Sequence, residues 1–359
     1  MNMPLGSAWP RALIAIALLV LIPIGLAISA PPGTGAAGVG TSSKFIDADL
    51  YREVMAALSP GQGYYDAVAV SHRAHDYPLH PFVVVRLPTL ALIWAYLGNQ
   101  WMKLISLALV AATLWAWQRQ WSIESKSVRI AAILLAASGM TFIADPDSLI
   151  LHETWGGLLV ALAIGCYNRD RPLAVVLLLL AASLIRETAV PALLLVASWY
   201  GWHKQWRGAV MGAASIAVFA VIMVGHKHMV DTIPPLPTDM TSNGWSAAGG
   251  WPSYLSFVSQ TTILRFFPAW ASAVLVPLAL LGWFASRSEA ARIMGCFQVG
   301  MAIFFMMFGR ADNFYWGFLV APMLMAGLAF FPRLILSFKP NSATTAIAYA
   351  TRSGKSDQA

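Results

Sequence analysis

Ten apolar runs divide the chain, at residues 11–30, 101–117, 128–144, 154–168, 172–185, 188–202, 208–225, 263–285, 291–309 and 314–336, and its charges fall in short clusters between them. A helix needs about 20 apolar residues to cross a bilayer, and the hydrocarbon core penalises every uncompensated charge. Of 359 residues, 58% are hydrophobic and only 11% charged, with a mean hydropathy of +0.65. A soluble domain is about half apolar and a quarter charged. The pattern predicts an all-α integral membrane protein with about ten transmembrane helices. Residues 1–336 form a single polytopic domain, and 337–359 read as a disordered, basic cytoplasmic tail. Several runs are short; those meeting at Arg169–Pro172 and at Arg186–Glu187 are read as tight helical hairpins. Pro81 to Gly98 is interrupted by Arg86 and Pro88, and is expected as a helix lying partly in the interface. The first run is long for a signal core and is followed by Pro31-Pro32, so it is read as an uncleaved helix.

The net charge of +7 is better matched to cytoplasmic helix ends than to nucleic acid, because no basic stripe with interleaved aromatics is present. With a cytoplasmic N-terminus, 14 of the 23 Lys and Arg fall inside, and both termini come out cytoplasmic. The acids sort more sharply. Twelve of 16 Asp and Glu, and six of seven His, fall on the opposite face. Short turns carry the bias as well as long loops: Asp145, Asp147, His152 and Glu153 in one, Arg186 and Glu187 in another, Arg310 and Asp312 in a third. That concentration points to a site on the extracytoplasmic face. Cys166 and Cys296 sit inside apolar runs and read as small packing residues.

Two outer loops are long, at about 31–86 and 226–262. In the first, Leu50, Val54 and Leu58 recur every four residues, which predicts an amphipathic helix over Asp47 to Leu58, ended by Ser59-Pro60. The second, rich in Pro, Gly, Ser and Trp, is expected to be an irregular cover. His72, His75, His80 and His152 do not complete a closed zinc set, and no obligatory metal is expected.

The order of elements carries a further indication. Asp47-Ala48-Asp49 opens the loop helix, with Tyr51 four residues after Asp47. His80-Pro81 and Arg86-Leu87-Pro88 lead into the next span, and Asp145-Pro146-Asp147 follows the third. In this order the chain resembles the GT-C superfamily of membrane glycosyltransferases, in particular its polyprenol-phosphate-dependent branches. The second Pro of the family's element is Phe82 here. The resemblance implies a GT-C-like fold with a helical first extracytoplasmic loop in the inner (cytoplasmic) membrane. It implies an inverting glycosyltransferase that moves a sugar from a polyprenyl-phosphate donor to an acceptor hydroxyl on a glycan, lipid or protein. Asp47 would be the catalytic base. Asp49, Tyr51, His80, Asp145, Glu153, Arg186 and Arg310 would bind substrate, with Arg186 and Arg310 holding the leaving phosphate. No cofactor is implied. A multispanning transporter or flippase, and an O-antigen polymerase or ligase, are the competing readings. A transporter would place its charges near the midplane and show pseudo-symmetric halves. The polymerases and ligases tend to put their large loop late in the chain.

Overall fold

The computed structural model describes residues 18, 20–27, 47–58, 63–242, 244 and 248–337. They are helical almost throughout. Helix α1 (residues 20–27) packs at Gly25 against Ala273, with which a Cβ at Gly25 would collide at 2.7 Å. The predicted loop helix is present as α2 (Asp47–Leu58), followed by α3 (Tyr64–Ala74). Ser59 and Pro60, the expected stop, lie outside the described residues, as does the tail after 337. Then come α4 (Thr89–Gln120), α5 (Lys126–Gly139), α6 (Pro146–Ile150), α7 (His152–Gly165), α8 (Leu173–Ile185), α9 (Val190–Trp202) and α10 (Trp206–Asp231). Last are α11 (Gly250–Thr261), α12 (Ala269–Gly282), α13 (Glu289–Phe308), α14 (Ala321–Leu324) and α15 (Phe331–Ser337).

Among the described residues, three segments are long and apolar enough to cross a membrane: Phe82–Ile123, Trp206–Asp231 and Glu289–Phe308. Leu173–Ile185 and Ala269–Ala285 are apolar but shorter. At 1.5 Å per residue, a 13-residue helix such as α8 spans about 20 Å, less than a hydrocarbon core of about 30 Å. The central helix α7 escapes this mismatch because every one of its residues is buried by neighbouring helices. Its glycines allow that packing: a Cβ at Gly157 would lie 2.2 Å from the Phe318 carbonyl oxygen.

Three expectations change in detail. Residues 89–97 do form a helix, but it continues into the next span and breaks only at Gly98, whose φ of 77° and ψ of 169° suit glycine alone. The last apolar run is not one helix. It alternates 3₁₀ turns (Ala311–Leu319, Met325–Ala329) with α14 and α15, because Gly317, Pro322, Gly327 and Pro332 interrupt it. The second long loop is not irregular throughout: α11 buries Trp251, Tyr254, Leu255, Phe257 and Val258 at helical spacing.

Helix ends sort into two poles. At one, Glu124 accepts from Ser286, the Arg287 amide and Arg333, and Glu289 binds Arg169 at 2.6 Å. At the other, the two long loops join. Strands β1 (Pro78–His80) and β2 (Met240–Thr241) pair in parallel, and Arg73 grips Asp239 at 2.7 Å. Helix α2, the turn at 145–153 and the turn at Arg186–Glu187 meet at this second pole.

Candidate functional site

Helix α2 lies across the second pole with Ala48, Leu50, Val54 and Met55 buried beneath it. The acidic pair at its start points two ways, as a 200° offset between residues two apart requires. Asp47 accepts a hydrogen bond from the Tyr77 hydroxyl at 2.8 Å. Asp49 pairs with Arg52 at 2.6 Å, and Arg52 also contacts Asp147 on α6. Tyr51, one turn after Asp47, turns inward and sets its ring edge-on to His152, 4.8 Å between centroids.

Below Tyr51 lies a knot of charge, buried at Arg186 and Glu153 and half-buried at Arg86 and Glu187. Arg86 donates from Nε to the Tyr51 hydroxyl at 3.1 Å and from Nη1 to Glu187 at 3.0 Å. Arg186, 1% exposed, has Nε 2.6 Å from Glu153, which is fully buried, and Nη1 on Glu187. The Arg186–Glu153 approach is close but poorly aligned for a hydrogen bond, so it acts as a charge contact. Arg186 also sits 5.9 Å above the Trp316 ring, a cation–π distance. Two guanidinium groups thus face two carboxylates, which is how buried ions are tolerated. One part stays unsatisfied among the described residues: Glu153 Oε2 and both ring nitrogens of His152 are buried without a hydrogen-bond partner.

No family model, characterised protein or solved structure matches the chain. What the site can do rests on its residues alone.

The structure brings Asp47, Glu153 and Arg186 to one pole around Tyr51, close enough for each charge to act on its phenol. Burial pushes that phenol up to about 12, against the pull of Arg86, so it stays protonated. Asp49 stands on the outer side of α2. Asp145 caps α6, accepting from the Asp147 and Ser148 amides at 3.3 Å each and from the Ser148 hydroxyl at 2.6 Å. His80 is exposed at the end of β1. Arg310 is held by Asp312 and donates to the Gly244 carbonyl at 3.4 Å. Both arginines assigned to the leaving phosphate therefore already have protein partners.

Four contributors are given no role by the sequence: Arg86, Tyr77 and Tyr315, and Glu187, which stands out only among the charged turns. Arg86 reads in sequence as a break in an apolar run, when it is the second cation of the knot. Tyr315, in the broken last run, lies within the field of Asp47, Tyr51, Arg86 and Glu153. Nothing in its local spacing reveals that, because the contact is made across some 260 residues of chain.

The lobe carrying α2 and α3 has its own acid sensitivity. His72 is buried and donates from Nδ1 to the Pro78 carbonyl at 2.8 Å; burial lowers its pKa to about 4. Above pH 6.5 the ring is neutral whether the lobe is folded or open. Between pH 6.5 and 4 the open form binds a proton that the folded form refuses, so stability falls, by about 3 kcal/mol over the window. Amide exchange across residues 64–80, corrected for its intrinsic pH dependence, should speed up as pH drops from 7 to 5. The slope should flatten in His72→Gln; an unchanged slope in that variant would assign the effect elsewhere.

Proposed function

We propose that this is a membrane-embedded inverting glycosyltransferase with about ten spans of GT-C type, working at the extracytoplasmic face with a polyprenyl-phosphate sugar as donor. One observation carries the reading: an acidic amphipathic helix, α2, presents Asp47 at the same pole as a knot of two arginines and two glutamates, at the ends of apolar helices. In the reaction Asp47 takes the acceptor hydroxyl's proton as its oxygen attacks the sugar's anomeric carbon. The bond from that carbon to the phosphate oxygen breaks, and polyprenyl monophosphate leaves with the electron pair. General-base help of this kind is worth roughly 100- to 10,000-fold. Cationic groups and donors at the pole would stabilise the charge developing on the phosphate.

Incubating purified protein with a panel of radiolabelled polyprenyl-phosphate sugars tests the chemistry. Lipid-dependent transfer or hydrolysis of one of them is expected, and inertness towards all would end the proposal. The orientation is tested separately by single cysteines at the 226–262 loop and at Lys204. An impermeant thiol reagent added outside intact cells should label the first and spare the second; the opposite pattern would invert the assignment. A transporter draws support from two titratable side chains held inside the helix bundle, His152 and the Glu153 that pairs with Arg186. It predicts uptake or flipping of substrate by reconstituted protein without any change in the substrate's covalent bonds.

A further inference from the structure

Helices α2 and α4 and the segment 143–150 enclose a half-open cavity of about 580 Å³ beside the charged knot. This is the size of a small-molecule site, typically about 300–1,000 Å³. Its polar lining is one-sided in chemistry. Lys103 offers three N–H donors and has no carboxylate within 4.0 Å among the described residues. Asn99 has its carbonyl oxygen taken by the Trp94 indole at 2.6 Å, so its NH₂ is the part left to face a ligand. Arg52 sits at the rim, spread between Asp49 and Asp147. The rest of the wall is mainly apolar, including Met55, Trp94 and Leu149. A pocket whose uncommitted polar groups all donate suits an acceptor-rich anion attached to an apolar body.

The cavity's position selects the kind of molecule. Gly98 breaks α4 at the pocket, and Lys103 follows five residues on. Leu107 stands one turn below Lys103 on the same face, and Leu107, Trp101 and Leu104 are exposed, as expected of side chains that meet lipid tails. The pocket is therefore continuous with an apolar helix surface on one side and with α2 on the other. We propose that it seats the phosphate head of a membrane lipid, bound by Lys103, Asn99 and Arg52, with the chain leaving along α4. That the seated lipid is the sugar donor or its spent carrier rests on the transferase reading; the binding itself does not. The assignment also moves the phosphate away from Arg186, which is buried against Glu153 and Glu187, and from Arg310; neither lines the cavity.

The test is lipid retention by the purified protein in detergent, measured by native mass spectrometry and thermal shift. The probes are a long-chain polyprenyl monophosphate, a phosphatidylcholine of matched apolar mass and inorganic phosphate. Polyprenyl monophosphate should bind wild-type protein at least tenfold more tightly than either other probe. Lys103→Gln with Arg52→Gln should lose that margin, Lys103→Arg should keep most of it, and Ala95→Trp, which fills the cavity, should abolish it. Undiminished binding in the Lys103→Gln, Arg52→Gln double variant would overturn the pocket, as would inorganic phosphate binding as tightly as the lipid. Binding without any sugar transfer would keep the pocket and remove the transferase reading. Transfer that survives the loss of binding would do the reverse.

Discussion

Arg186→Met should be among the most destabilising single substitutions in the chain, costing about 3–5 kcal/mol, because it strands a buried carboxylate without its cation. Glu153 is fully buried and has Arg186 as its one ionic contact among the described residues; Glu187 keeps Arg86. The asymmetry makes the effect separable. Arg186→Met with Glu153→Leu removes both ions of the dry pair, and apolar replacement of a whole buried pair is often neutral. The double variant should thus recover more than half of the loss seen in detergent unfolding. Arg186→Lys should sit between, since a point charge on a shorter reach cannot meet two carboxylates along a fork. If Arg186→Met unfolds within about 1 kcal/mol of wild type, water reaches the knot and its charges are not the dry pair described. If instead Arg186→Lys folds normally and only turnover collapses, the arginine serves the leaving phosphate after all.

Some of this was legible before any coordinate. The bounds of α2 follow from Leu50, Val54 and Leu58 recurring at one helical turn, and the alternate facing of Asp47 and Asp49 follows from the same period. The gathering of His152, Glu153, Glu187 and His226 near one pole is implicit in the bias of acids and histidines towards alternate turns between apolar runs. Other features depend on partners distant in sequence. Glu153 reads as the polar start of an apolar helix; only the approach of Arg186, at a glycine-faced crossing where a Gly156 Cβ would stand 3.2 Å from Arg186 Cβ, makes it part of an ion pair. Asp145 shows the converse. Its position in a polar turn looks like a site, yet two amides and a hydroxyl occupy its carboxylate, the ordinary duty of an aspartate before Pro at a helix start. The last apolar run has the composition of a span but four helix breakers in its length, and composition alone weighs them too lightly.

Asp47→Asn should abolish sugar transfer, by roughly 100- to 10,000-fold in kcat, while donor lipid still binds. The amide keeps the size of the side chain and can still accept from the Tyr77 hydroxyl, so α2 has no reason to move. What it loses is basicity at the oxygen that would receive the acceptor's proton. Among the described residues the Tyr77 hydroxyl is the one hydrogen-bond donor to this carboxylate, at Oδ1, which leaves Oδ2 to meet an incoming hydroxyl. Tyr77→Phe removes the positioning bond without touching the base, and should reduce kcat by a smaller factor that Asp47→Asn then masks. Asp49 is the internal control. Its carboxylate is already committed to Arg52 on the outer side of α2, so Asp49→Asn should cost only the weak support of a half-exposed ion pair. The decisive comparison is single-turnover transfer by the two variants at saturating donor. An inactive Asp49→Asn beside an active Asp47→Asn would mean that the proton is taken on the outer side of α2, and the site would have to be rebuilt around Asp49, Arg52 and Asp147.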